Sequence, residues 1–256
     1  MKKIPNLITV LNLFFGCLAI VFALQTESVI IRVDENFDST FNIPEKLTWA
    51  AICIGIAGII DFLDGFVARW LNATSSIGKE LDSLSDVVSF GVAPSVILYQ
   101  LLKLSYIKEP NGLEISIIWL LPAFVLACSA AFRLAKFNND TTQQYNFKGV
   151  PTPAIGLLVA SFPMILYYNS SFPKLGDLFI NKWVLYGLIL LMSWLMLSNL
   201  PVMGLKFSSN KLKDNLPKVW LAAATVIAAI FLHWLAVPLV FILYILLSLM
   251  NKKNIA

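Results

Sequence analysis

The chain has 256 residues, of which 58% are hydrophobic and only 13% charged, with a mean hydropathy of +0.78. A soluble domain is about 45–50% apolar and about 25% charged, so the composition excludes an ordinary soluble enzyme and indicates a polytopic membrane protein. The net charge of +4 is too small to suggest a nucleic-acid partner; its meaning lies in which loops carry it. Cys17, Cys53 and Cys128 all sit in apolar runs, where they read as small buried residues and not as a disulfide framework. No shift in composition divides the chain, so residues 1–256 are expected to form a single membrane domain.

Residues 1–25 open on Lys2 and Lys3 and continue as an apolar run long enough to cross a bilayer. No small-x-small cleavage pattern follows it, which argues for a span over a removable signal peptide. Pro5 falls in the first turn, where its missing N–H costs nothing. Asn6, Thr9 and Asn12 recur every third position, making a polar stripe that at membrane depth should face the protein interior. Residues 26–46 are polar and acidic without periodicity and read as an external loop. A second span is expected over about 47–71, a turn over Asn72 to Ile77, and a third span over about 79–102, bent at Pro94. After a loop from Lys103 to Glu114, a fourth span covers about 115–135 and leads into the polar segment NNDTTQQYN. Gly149, Pro151 and Pro153 mark a tight entry to a fifth span, about 153–168, and a sixth runs over about 183–200.

A basic segment with Lys206, Lys211, Lys213 and Lys218 follows. The apolar stretch from Val219 to Met250 is too long for one crossing of a hydrocarbon core ~30 Å thick and is expected to form two helices turning near His233–Pro238. His233 reads as a turn residue. The total is an all-α membrane bundle of about eight transmembrane helices: a six-helix core over about 1–200 and an extra C-terminal pair over about 217–250. With both termini on one side, that side holds 13 of the 19 Lys and Arg. The positive-inside rule then places the termini in the cytoplasm. The expected location is a bacterial cytoplasmic membrane.

The densest chemistry lies between residues 61 and 86, DFLDGFVARWLNATSSIGKELDSLSD. On a helix Asp61, Asp64, Gly65 and Ala68 share one stripe, with Arg69 at its edge; Gly78, Asp82 and Asp86 share a stripe on the next helix. If these helices form a hairpin, four carboxylates face one another above a floor of small residues. Carboxylate oxygens suit hard divalent cations, and the small residues leave room for a bulky ligand against the backbone. Four carboxylates with one counter-charge would repel one another without a cation, which argues against their merely capping helix ends. Two divalent cations would offset most of the charge of the carboxylates and a bound diphosphate. One carboxylate must also be free to accept a proton from an incoming hydroxyl; Asp86, deepest in the second stripe, is the expected base.

This spacing, D-x2-D-G-x2-A-R-x8-G-x3-D-x3-D, resembles that of the CDP-alcohol phosphatidyltransferase family at every motif position. Such a match arises by chance with a probability on the order of 10⁻¹⁰ per start position. The resemblance implies that Asp61, Asp64 and Asp82 bind metal, two Mg²⁺ or Mn²⁺ ions in all, and that Asp86 is both ligand and general base. It implies that Gly65, Ala68 and Gly78 line a cytidine pocket, with Arg69 near phosphate. Asn6 and Thr9 resemble the family's PNxxT opening and would contact nucleotide. The stretches RLAKFN (133–138), FKGVPTP (147–153) and SNLPVMGLK (198–206) resemble the phosphatidylserine synthase branch. That branch implies transfer of a phosphatidyl group from CDP-diacylglycerol to L-serine, releasing CMP, in a homodimer among membrane lipids. Arg133 is the expected holder of the serine carboxylate, with Lys148 and Lys206 as weaker acceptor contacts. Two rival readings stay open on the residues: the same chemistry with glycerol 3-phosphate or an inositol phosphate as acceptor, and a divalent-cation transporter. No Ser, Cys or His accompanies the motif as a nucleophile–base pair, so direct displacement is expected.

Overall fold

The computed structural model describes residues 3–25, 31–33, 39–41, 44–71, 75–107, 114–139, 147–168, 178–204 and 212–250. Lys206 lies outside them, as do Lys2, Lys211, Lys252 and Lys253 of the cations counted on the N-terminal side. The described residues are almost entirely helical. In hydrocarbon every backbone N–H and C=O must be satisfied within its own segment, which long apolar runs can do only as helices.

Helix α1 (Lys3–Leu24) packs along α2 (Glu45–Trp70). At 1.5 Å per residue α2 rises about 39 Å, longer than a hydrocarbon core of ~30 Å, and the end that carries Asp61, Asp64 and Arg69 is its C-terminal one. Between them the expected irregular loop contains two short antiparallel strands, β1 (Ile31–Val33) and β2 (Ser39–Phe41). Three-residue strands are too short to show an alternation in sequence.

The third span is one continuous helical rod in three parts, α3 (Ser76–Asp86), a π-helical turn (Val87–Val92) and α4 (Ala93–Ile107). It starts a turn's length before the expected boundary because Ser75 caps it, its Oγ accepting from Gly78 N at 3.0 Å. Pro94 was expected to bend the span; the structure places the irregularity in the turn before it. Proline offers no N–H to the carbonyl four residues back and its ring crowds that carbonyl. The ladder widens instead, with Ala93 N–H bonding Val88 O. This rod is the most enclosed of the spans and the C-terminal pair the least. Phe90, Ile97, Leu98 and Leu101 on it are fully buried and centre the core.

The fourth span begins as two 3₁₀ turns, Ile117–Trp119 and Leu121–Phe124, and continues as α5 (Val125–Asn139). Helix α6 (Thr152–Tyr168) has 17 residues and α7 (Lys182–Leu197) has 16. The strands β3 (Phe147–Lys148) and β4 (Pro201–Val202) pair antiparallel beside their ends. The C-terminal stretch divides as expected, into α8 (Leu212–Leu232) and α9 (Ala236–Met250), which pack against each other. The break is a 3₁₀ turn at His233–Leu235, where His233 adopts φ 48°.

Among the described residues, five helical stretches are long and apolar enough to cross a membrane, with α6 and α7 as two shorter apolar helices. The protein is therefore an all-α, multi-spanning membrane protein. The full set of about eight crossings does not follow from these lengths, since α6 and α7 fall short of the ~20 residues a perpendicular span needs.

Candidate active site

Helix α1 is the element that assembles the site. It packs against α2 and against α3, whereas α2 and α3 make little direct backbone contact with each other. The hairpin expected from the sequence is thus an open one, and the gap between its arms is the site. A cavity of about 530 Å³ occupies it, walled by Asn6 and Thr9 from α1, Asp64, Gly65 and Ala68 from α2, and Gly78 and Asp82 from α3.

Ligand oxygens of Asp61, Asp64 and Asp82 lie within 4.8 Å of one another. Asp64 is buried, while Asp61 and Asp82 are partly open toward solvent. Thr9 Oγ1 donates to Asp64 Oδ2 at 2.7 Å, which holds that carboxylate toward the other two. Asp86, one turn beyond Asp82, is buried and stands outside the close trio, within electrostatic reach of all three. Asp82 Oδ1 and Asp86 Oδ1 are both buried without a hydrogen-bond partner. Orphaned buried carboxylate oxygens beside further carboxylates are costly unless a cation completes them. The donor set, all oxygen and all anionic, fits a hard divalent ion.

Five of the six residues expected at the nucleotide line the cavity: Asn6, Thr9, Gly65, Ala68 and Gly78. Arg69 does not; it is exposed, with its guanidinium beside Gly65. The cavity wall also includes Pro5, Ser75, Ser76 and Lys79, of which the sequence puts Ser75 and Ser76 in a turn and singles out none for the site. The signal available for them was the Ser75 cap, which brings the first turn of α3 to the cavity mouth. Gly78 is there for room. A Cβ on it would sit 3.0 Å from both Asn6 Oδ1 and Ser75 Oγ, so in Gly78→Ala both side chains must give by a few tenths of an ångström and Asn6 shifts from its place in the wall. If the cavity takes nucleotide, the expected result is a KM for the nucleotide substrate raised roughly tenfold, worth about 1.4 kcal/mol, with kcat little changed. Steady-state kinetics on the purified variant checks it.

Arg133, from α5, comes within electrostatic reach of Asp86. It is 7% exposed, its Nη1 donates to Thr152 Oγ1 at 3.2 Å, and its Nε has no partner. Its neighbours include the Asp86 carboxylate and the Tyr244 hydroxyl. Tyr244 in turn donates to Met203 O at 3.0 Å, so α9 braces this corner. Arg133 thus meets the FKGVPTP turn through Thr152. Lys148 pairs through its backbone with Pro201. Lys136 is exposed and donates to Asn199 Oδ1 at 3.1 Å.

The CDP-alcohol phosphatidyltransferase family model matches residues 2–197. The chain belongs to the CDP-alcohol phosphatidyltransferase family. The matched region holds α1 to α7 with the whole aspartate motif and ends before the C-terminal pair. A CDP-diacylglycerol–serine O-phosphatidyltransferase of Helicobacter pylori is 31% identical over 250 residues, covering 96% of this chain and 90% of that protein. One of Mycobacterium leprae is 30% identical over 274 aligned positions, covering 100% of this chain and 77% of that protein. An archaetidylserine synthase of Methanothermobacter thermautotrophicus is 29% identical over 168 residues, covering 65% and 60% of the two chains.

Proposed function

We propose that the protein is a CDP-diacylglycerol–serine O-phosphatidyltransferase, making phosphatidylserine and CMP. The observation that carries this is the carboxylate trio Asp61, Asp64 and Asp82, two of which, Asp64 and Asp82, stand in the wall of a cavity otherwise lined mostly by small and polar residues. The relatives that match nearly the whole of this chain are named for the same reaction, and the archaeal relative's name keeps serine with a different lipid. In this reading the cavity takes the cytidine diphosphate head, with Asn6 and Thr9 at the nucleotide and Gly65, Ala68 and Gly78 giving it room. Asp61, Asp64 and Asp82, with Asp86, would hold two divalent cations, Mg²⁺ or Mn²⁺, which neutralise the diphosphate and the charge that develops on departing CMP.

The serine hydroxyl oxygen attacks the lipid-bearing phosphorus, the bond from that phosphorus to the CMP oxygen breaks, and the hydroxyl proton passes to Asp86. Arg133 receives the serine carboxylate; its free Nε donor and buried charge suit a planar anion. A phosphorylated acceptor would need several cations beside the site, and Lys136 is instead exposed and bound to Asn199. Arg69, whose guanidinium lies beside Gly65, and Lys148 and Lys206 remain secondary anchors in this reading. The domain is a six-helix core with the α8–α9 pair appended, about eight crossings in all. In this reading it works as a homodimer, with the site on the cytoplasmic face of a bacterial membrane, the side that the distribution of Lys and Arg supports.

The test is CMP release from CDP-diacylglycerol by the purified protein with Mn²⁺ and L-serine, glycerol 3-phosphate or no acceptor. Release that depends on L-serine and stops on chelation is expected. Release only with glycerol 3-phosphate would overturn the acceptor. No release with either acceptor, together with metal flux in proteoliposomes, would favour a cation transporter.

A further inference from the structure

The polar stripe of α1 has three members, and the site accounts for two of them. Asn6 and Thr9 reach the cavity. Asn12, three residues deeper, does not: it is 0% exposed, and neither its Nδ2 nor its Oδ1 has a hydrogen-bond partner. A primary amide buried with all its donors and acceptors unmet is strongly unfavourable, and leucine would fill the same space without that cost.

Nor can α1 shift to relieve it. Ser89 Oγ donates to Asn12 O at 3.1 Å and Ser85 Oγ approaches Thr9 O at 3.3 Å. One turn on, Gly16 lies so close to the rod that a Cβ there would be 2.9 Å from Ser89 Cα. Ser85 and Ser89 flank Asp86 on the rod, directly before and one turn after it. The contacts that clamp α1 thus hold Asn12 against Asp86. The amide faces that carboxylate, close enough to interact with it but outside hydrogen-bond geometry. Asp86 Oδ1 is likewise buried and unpartnered. One group offers two N–H donors; the other is an acceptor lacking one.

We infer that Asn12 is the positioning residue for Asp86, its amide N–H closing onto the carboxylate when substrate fills the site and turning the other oxygen toward the acceptor hydroxyl. The inference rests on the reading of Asp86 as the general base. Asn12 touches neither substrate nor metal in this role, and acts only through the carboxylate it orients.

The test replaces Asn12 with Leu, close in size and without polar atoms, in the full-length protein. Serine-dependent CMP release should fall about 10- to 100-fold in kcat, the range for supporting-shell partners of a reactive carboxylate or metal ligand. The KM for CDP-diacylglycerol should stay within about twofold. Thermal stability should hold or rise, because a stranded amide has been removed; a packing role would move stability and activity down together. In the Asp86→Asn background, adding Asn12→Leu should cost nothing further. Full kcat in Asn12→Leu, or a raised KM at unchanged kcat, would overturn the inference. If Asp86→Asn itself keeps full activity, the general-base reading fails first, and that outcome is separate from the failure of Asn12.

Discussion

Asp86→Asn is expected to lower serine-dependent CMP release by about 10²–10⁴-fold, the span a positioned general base contributes. Asparagine keeps the size of the side chain and its place in the rod, but it cannot accept the serine proton. Asp86 stands outside the trio of oxygens that Asp61, Asp64 and Asp82 bring within 4.8 Å. The two groups should therefore fail differently. Asp61→Asn, Asp64→Asn and Asp82→Asn should each raise the Mn²⁺ concentration needed for half-maximal rate, because each removes a formal charge from the donor set. Asp86→Asn should lose kcat with a much smaller change in metal requirement. Metal titrations of all four variants, scored for kcat and half-saturation separately, decide between these behaviours. An Asp86→Asn enzyme that excess Mn²⁺ restores would make Asp86 a ligand only.

Gly149→Ala is expected to be the most damaging single change outside the carboxylates. Gly149 has φ 79°, a conformation that costs any other residue about 1–3 kcal/mol. A Cβ there would also sit 2.4 Å from Met196 O and 2.8 Å from Ser198 O. Both are backbone atoms at the end of α7 and cannot step aside as a flexible side chain would. The turn is held besides by Gly149 N donating to Leu200 O at 2.9 Å and Val150 N to Leu195 O at 3.1 Å. Three residues on, Thr152 meets Arg133. The variant should therefore lower the midpoint of thermal unfolding in detergent and reduce activity, with serine KM affected more than CDP-diacylglycerol KM in whatever protein stays folded. An unchanged unfolding midpoint would mean that the turn relaxes in a way its geometry does not suggest.

Much of this protein was written locally. Long apolar runs in a lipid solvent can be little other than helices, and α1, α2, α6 and the α8–α9 pair fall within a few residues of where hydropathy places them. The aspartate spacing put Asp61 and Asp64 on one face of one helix and Asp82 and Asp86 on one face of the next, which helical geometry dictates without any partner. Pro94 announced an irregularity, though not its form: only the packed rod shows that the ladder widens ahead of the proline.

What sequence could not supply was the relation between segments. Nothing local says that α1 inserts against both α2 and α3, or that the two motif helices are held apart with a cavity between them. Nor does anything local say that Ser75, Ser76 and Lys79 belong to its wall, or that Arg69 falls outside it. Asn12 looked like one more polar residue on a helix face. Its burial beside Asp86 depends on Gly16, Ser85 and Ser89, whose contacts span more than seventy residues of chain. Periodicity determines which way a side chain points from its own helix, whereas which charge or orphaned donor it meets there is decided by packing, and in this protein the chemistry lies in those meetings.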